Sequence, residues 1–157
     1  MMNTALRPPA LRLIGVGLLT ATAMVATTGG QVSHFKDARH FASWFGLTPR
    51  EFSSGSRQVL GRISKRGDRY LRMLLTHGAR SVLRAATVAR RAGKKIDGLR
   101  TWATTVEGRT NHNKAACALA NKLARICYST LRDATPYGLP APRQQRKIER
   151  EAFAVAA

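Results

Sequence analysis

The chain has 157 residues, 44% of them hydrophobic, with 27 Lys+Arg against 8 Asp+Glu and a formal net charge of +19. That length fits one domain able to bury roughly two-thirds of its unfolded surface, and the apolar share excludes a disordered polymer. A body so cationic repels itself unless it meets a polyanion. Its Arg-rich charge suits phosphate, so nucleic acid ranks ahead of an anionic membrane and of a merely solvated surface.

Residues 1–10, MMNTALRPPA, predict a lead-in, because Pro8-Pro9 forbid a helix through them. Arg7 and Arg12 ahead of LIGVGLLTATAMVA imitate a signal peptide. Against that, Gly15 and Gly17 interrupt the apolar run, which is too short to span a bilayer. The two cysteines, Cys117 and Cys127, are ten positions apart in one expected helix, out of reach of a disulfide. They read as small buried hydrophobes of a reducing compartment, and a cytoplasmic, nucleoid-associated protein is expected. The favoured reading is a retained helix from about Leu18 to Thr27, burying Leu18, Leu19, Ala23 and Val25 and stopped by Gly29-Gly30. Before it, Ile14-Gly15-Val16-Gly17 is either a plain interhelical turn or a phosphate cradle of the helix-hairpin-helix kind.

A second helix is expected over about Lys36–Phe45, with Phe35, Ala38, Phe41, Ala42 and Phe45 as its buried stripe and Ser33 as N-cap. Gly46 ends it and Pro49 prevents resumption. The basic loop Thr48–Gly67 has no sustained period, although Gln58-Val59-Leu60 and Arg62-Ile63-Ser64 suggest a short hairpin around Gly61. The clearest helix runs from about Asp68 to Arg91, with Leu71, Leu74, Leu75, Gly78, Val82, Leu83 and Ala86 on its apolar face and Gly93 closing it. A short helix over Ile96–Val106, a polar turn over Glu107–Asn113 and a long helix over about Lys114–Arg132 follow. The fold class is therefore all-α, with a helix-hairpin-helix-like start, about four further helices and a long basic loop. The tail from Asp133 carries Pro136, Pro140 and Pro142 and is expected to be extended and mobile.

Two features of the loop bear on chemistry. Ser53-Ser54-Gly55 places a hydroxyl pair on it, and six Lys/Arg lie between Arg57 and Leu75 against one acid, Asp68. A serine attacks phosphorus only when its proton is removed and the developing charge is balanced. Arg50, Arg57, Arg62, Lys65 and Arg66 are placed to balance it; the plainer reading is an ordinary turn with hydroxyls on backbone. Arg57, Arg62, Lys65, Arg66, Arg69 and Arg72 can lie along a phosphate backbone, Arg69 and Arg72 from a helix anchored by its apolar side. His34, His40, His77 and His112 show no ligand spacing with one another or with the cysteines, and the acids are scattered rather than clustered for two-metal phosphoryl transfer.

The order IGVGLLTATAMVA, FKDARHFASWFGLTPREFSSGS, LGRISKRGDRYLRMLLTHGAR and ALANKLARICYSTL resembles the C-terminal half of one transposase family. These are the DEDD-type transposases of the insertion sequence one-hundred-ten, one-hundred-sixteen and nine-hundred-two group, the bridge-RNA-guided serine recombinases. The resemblance covers about residues 11–132. It implies a RuvC-like domain whose acids bind divalent metal (magnesium), and a C-terminal part whose serine attacks DNA. Its serine-glycine step falls on Ser54-Gly55, which makes Ser54 the nucleophile by resemblance, with Ser53 the alternative one register away. It implies a helix-hairpin-helix-like role for Gly15 and Gly17, and DNA, a structured guide RNA and either a RuvC-like half or further copies as partners. No cofactor is expected on these residues themselves, and the expectation is a truncated or split copy. The rivals are a stand-alone, non-catalytic nucleic-acid-binding protein and, third, a secreted cationic protein.

Overall fold

The computed structural model describes residues 13–138; the lead-in 1–10 and most of the expected tail lie outside them. Five helices occupy the described residues: α1 (Leu18–Thr28), α2 (Ala38–Trp44), α3 (Arg69–Arg91), α4 (Gly98–Arg109) and α5 (His112–Asp133). Between α2 and α3 the chain makes a two-stranded antiparallel hairpin, β1 (Pro49–Glu51) with β2 (Leu60–Ile63). The architecture is all-α apart from this hairpin.

The core is the seam between α3 and α5. Leu71, Leu75, Ala79, Val82, Leu83 and Ala86 recur at helical spacing on α3 and are buried. They face Ala116, Leu119, Ala120, Leu123 and Cys127 of α5, where the alanines let the two helices approach closely. An aromatic cluster seats α2 against α5: Phe41 meets Phe35 and Phe45 edge-on at 5.0 and 4.8 Å, and Tyr128 donates its hydroxyl to the Phe35 carbonyl at 3.2 Å. Each such aromatic pair adds about 0.5–1.5 kcal/mol beyond its buried area.

Helix starts are set by short side chains that accept otherwise orphaned backbone N–H groups. Asp68 accepts from Leu71 N–H at 2.7 Å, Asp97 from Arg100 N–H at 2.8 Å, and Asn111 from Lys114 N–H at 2.9 Å. α2 begins at Asp37, which accepts from Arg39 and His40 N–H, not at the expected Ser33. The carboxylate reaches two donors there, and the His40 N–H, with the His40 ring beside it, holds the Asp37 carboxyl below its usual range.

Three other expectations are corrected. The hairpin does not turn at Gly61, which lies inside β2; its pairing continues past the strands to a tip where Ser54 and Arg57 exchange N–H···O bonds of 3.1 Å around Gly55-Ser56. The polar turn at Glu107–Asn113 shrinks to Thr110-Asn111, because α4 runs on to Arg109 and α5 already starts at His112. In α1 the buried face is Thr20, Ala21, Met24 and Thr28, while Leu18 and Leu19 are 59% and 60% exposed. Small residues make that contact because the preceding turn lies almost backbone to backbone with α3. A Cβ on Gly78 would stand 1.9 Å from the Gly15 carbonyl oxygen.

Candidate nucleic-acid interface

From Pro49 to Arg62 every residue of the hairpin is exposed, so it forms an arm on the helical body. Its root is a glycine neck. Gly46, at φ 68, ends α2, and a Cβ there would stand 2.1 Å from the Arg66 carbonyl oxygen; a Cβ on Gly67, at φ 95, would stand 1.8 Å from that of Trp44. Only glycine permits such approach and such φ. Lys65 N–H to Gly46 O at 3.1 Å and Ser64 N–H to Thr48 O at 2.8 Å close the neck.

At the tip the two serines differ. The Ser53 hydroxyl donates to Glu51 Oε1 at 2.7 Å and accepts the Val59 N–H at 3.1 Å, so it stands in for a rung of the hairpin ladder. No hydrogen bond among the described residues uses the Ser54 hydroxyl. Ser54 sits directly across the hairpin from Arg57, and opposed residues of an antiparallel pair project from the same face. A free hydroxyl and a guanidinium therefore share one side of the tip.

The other expected cations divide into three groups. Arg50 and Arg62 sit on β1 and β2 beside the Pro49–Ile63 pair, at the neck end of the arm, exposed. Lys65, at φ 55, and Arg66 sit exposed at the neck. Arg69 is exposed at the start of α3, while Arg72, one turn on, is half-buried and donates Nη1 to the Phe45 carbonyl at 2.9 Å, tying α3 to the end of α2. Gly15 and Gly17 lie apart from the arm, in the turn before α1. Gly15, at φ 88, packs against Val82, Gly78 and Leu123; Gly17 is exposed and caps α1 without a side-chain partner for the first N–H groups.

Between the arm and α5 lies an open cleft of about 1600 Å³. Arg62 and Lys65 line it from the arm side, Lys114, Lys122 and Arg125 from α5. Sequence reading missed those three α5 cations, although Lys114, Ala118, Asn121/Lys122, Arg125 and Ser129 repeat at helical spacing opposite the buried stripe. That second stripe was the available signal.

The acids of the described residues are occupied structurally. Asp37, Asp68 and Asp97 cap helices, Glu51 holds Ser53, Glu107 contacts His112 at 2.8 Å, and Asp133 is fixed by Arg132 at 2.8 and 3.0 Å. Little carboxylate is left to neutralise the cationic surface. Among the described residues no three His, Cys, Asp or Glu side chains stand together as a metal site. No helix among them is long and apolar enough to cross a membrane.

Comparison with known proteins fits this layout. The chain is 44% identical over 127 residues to a "Probable family 20 transposase" of Pseudomonas aeruginosa, covering 81% of this chain and 36% of that protein. It is 41% identical over 117 residues to the "Transposase for insertion sequence element IS1111A" of Coxiella burnetii (74% and 30%), and 38% identical over 118 residues to that for IS1328 of Yersinia enterocolitica (75% and 33%). The chain thus spans about a third of the length of the curated relatives it matches. The description of the Transposase IS116/IS110/IS902 family matches residues 10–94, which hold the α1 turn, the arm and α3. The chain belongs to that transposase family.

Proposed function

We propose that this chain is the DNA-binding, serine-bearing part of an insertion-sequence transposase, acting in DNA transposition and recombination. Ser54 is the nucleophile of the assembled enzyme: its Oγ attacks a phosphodiester phosphorus, the P–O bond to the leaving sugar breaks, and that oxygen takes a proton. Arg57, across the hairpin, balances charge on the phosphoryl oxygens. It cannot be the base, because a guanidinium stays protonated. The base, and the carboxylates that hold magnesium, belong to a RuvC-like half, with a structured guide RNA as a further partner. The observation that carries the reading is the contrast at the tip: Ser53 is held by Glu51 and Val59, while the Ser54 hydroxyl is exposed and unused.

Arg50, Arg57, Arg62, Lys65, Arg66 and Arg69 hold backbone phosphates, Arg72 assists from a tethered position, and the Gly15–Gly17 turn offers backbone N–H groups to a phosphate. Binding to duplex DNA by this chain should fall steeply with salt, each phosphate contact adding about −0.9 to the log–log slope. Arg66→Ala and Arg69→Ala should each lessen that slope by roughly one. In a system reconstituted with a RuvC-like half and guide RNA, Ser54→Ala should abolish strand cleavage and leave DNA affinity nearly unchanged. Ser53→Ala should retain cleavage. Loss of cleavage in Ser53→Ala alone would shift the nucleophile by one position; loss in neither would make the tip serines turn residues only.

A further inference from the structure

We infer that the cleft between the arm and α5 binds unpaired nucleotides, bases against its floor and phosphates on its rim. This rests on the nucleic-acid reading above and goes beyond it by assigning a single-strand surface away from the Ser54 tip, which shares Arg62 and Lys65 with the phosphate-binding set.

The floor is apolar, with Leu47, Ile63, Cys117, Ala118, Ile126 and Trp102 all lining it. The rim is cationic on both sides, Arg62 and Lys65 facing Lys114, Lys122 and Arg125. Asp133 is the acid that lines the cleft, and Arg132 already occupies it; that hydrogen bond holds its carboxyl below the usual range. The cleft therefore asks for a ligand that is anionic along its edge and flat and apolar within. Duplex DNA answers only half of that, because its base faces are hidden in their own stack. An unpaired strand answers both halves, as in grooves that track a backbone with cations while aromatic groups take the bases. Lys122 and Trp102 make the pairing local: the ammonium lies 3.8 Å from the ring centroid. A bound nucleotide would draw Lys122 to its phosphate and take the ring face for its base.

Cys117 supplies the test. It lies in the cleft, partly exposed, whereas Cys127, the other of the two cysteines, is buried and its thiol is pushed up to about 12 by desolvation. A maleimide should therefore label Cys117 alone in the folded chain. The full chain is labelled alone, with a mixed-sequence single-stranded 12-mer (~12 nucleotides, within the range of such grooves), with the same sequence as duplex, and with polyphosphate, all at saturating occupancy. The single strand should slow Cys117 labelling about tenfold or more, duplex and polyphosphate less than about twofold. Trp102→Ala and, as a surface change that spares the core, Arg125→Ala should weaken single-strand affinity about fivefold or more and duplex affinity less than about twofold. Salt-dependent binding of both DNAs with no single-strand protection of Cys117 would overturn the cleft and leave the DNA-binding reading standing. Equal protection by polyphosphate would remove the role of the bases and equally overturn it. In a further arm, protection by an acidic apolar peptide but not by the single strand would reassign the cleft to a protein and overturn the proposal. Binding of none of them would overturn the nucleic-acid reading itself.

Discussion

The α3–α5 seam and the hairpin arm are built on opposite terms. The seam's inward positions are Leu, Ala, Val and Cys at helical spacing, buried almost to zero exposure. The arm buries nothing from Pro49 to Arg62; ladder hydrogen bonds, one serine side chain and the glycine neck hold its shape. Stability therefore resides in one region and the expected chemistry in the other. Residues of the arm can change without threatening the fold, whereas residues of the seam cannot.

The largest test of that division is Leu119→Ala, which empties a fully buried site facing α3 and should cost about 4 kcal/mol in denaturant unfolding. Val59→Ala on the arm should cost less than about 0.5 kcal/mol. Comparable losses at the two sites would mean that the arm is part of the core. Next, Gly78→Ala should cost about 3 kcal/mol, since its new methyl would meet the Gly15 carbonyl and push the α1 turn off α3. A melting temperature equal to that of the unmodified protein would show that this contact is dispensable. Asp68→Ala should lower stability by about 1 kcal/mol by uncapping α3. Ser53→Ala should barely move the global midpoint, yet hydrogen exchange at the Val59 amide should quicken while Ser54→Ala leaves it unchanged. Smallest is the acid response. Asp37 has a lowered folded pKa, so its contribution is present above the ordinary carboxylate value of about 3.9 and is lost as pH falls through the lowered one. Asp37→Asn should flatten that acid limb in a pH series of thermal melts.

The helices were legible because their signals are local. Periodic leucines and alanines mark α3 and α5, and Gly29, Gly46 and Gly93 mark ends that the structure keeps, each with φ above 60°. The hairpin was half legible. Its strands are three and four residues long, too short for a period, and its turn is defined by a cross-strand bridge between Ser54 and Arg57 that no local pattern encodes. α1 misled for a different reason: its apolar residues surround the helix, so composition could not show which side meets α3, and a glycine–glycine contact made that choice. The difference between Ser53 and Ser54 was out of reach, because it depends on an N–H six residues away. The cleft required α5 and the arm to be brought together across more than fifty positions of sequence.

The glycine neck has one more consequence. The chain leaves the body at Gly46 and returns at Gly67 with the two strands of backbone touching. Most of the entropy of closing that loop is settled at the neck, and lengthening a closed loop adds only slowly to it, about 0.6 kcal/mol per doubling. The arm is thus a replaceable cartridge: a longer, shorter or differently charged hairpin could be plugged in between Gly46 and Gly67 while the helices fold as before. Such exchange would offer a route by which reach and specificity diversify on one unchanged socket.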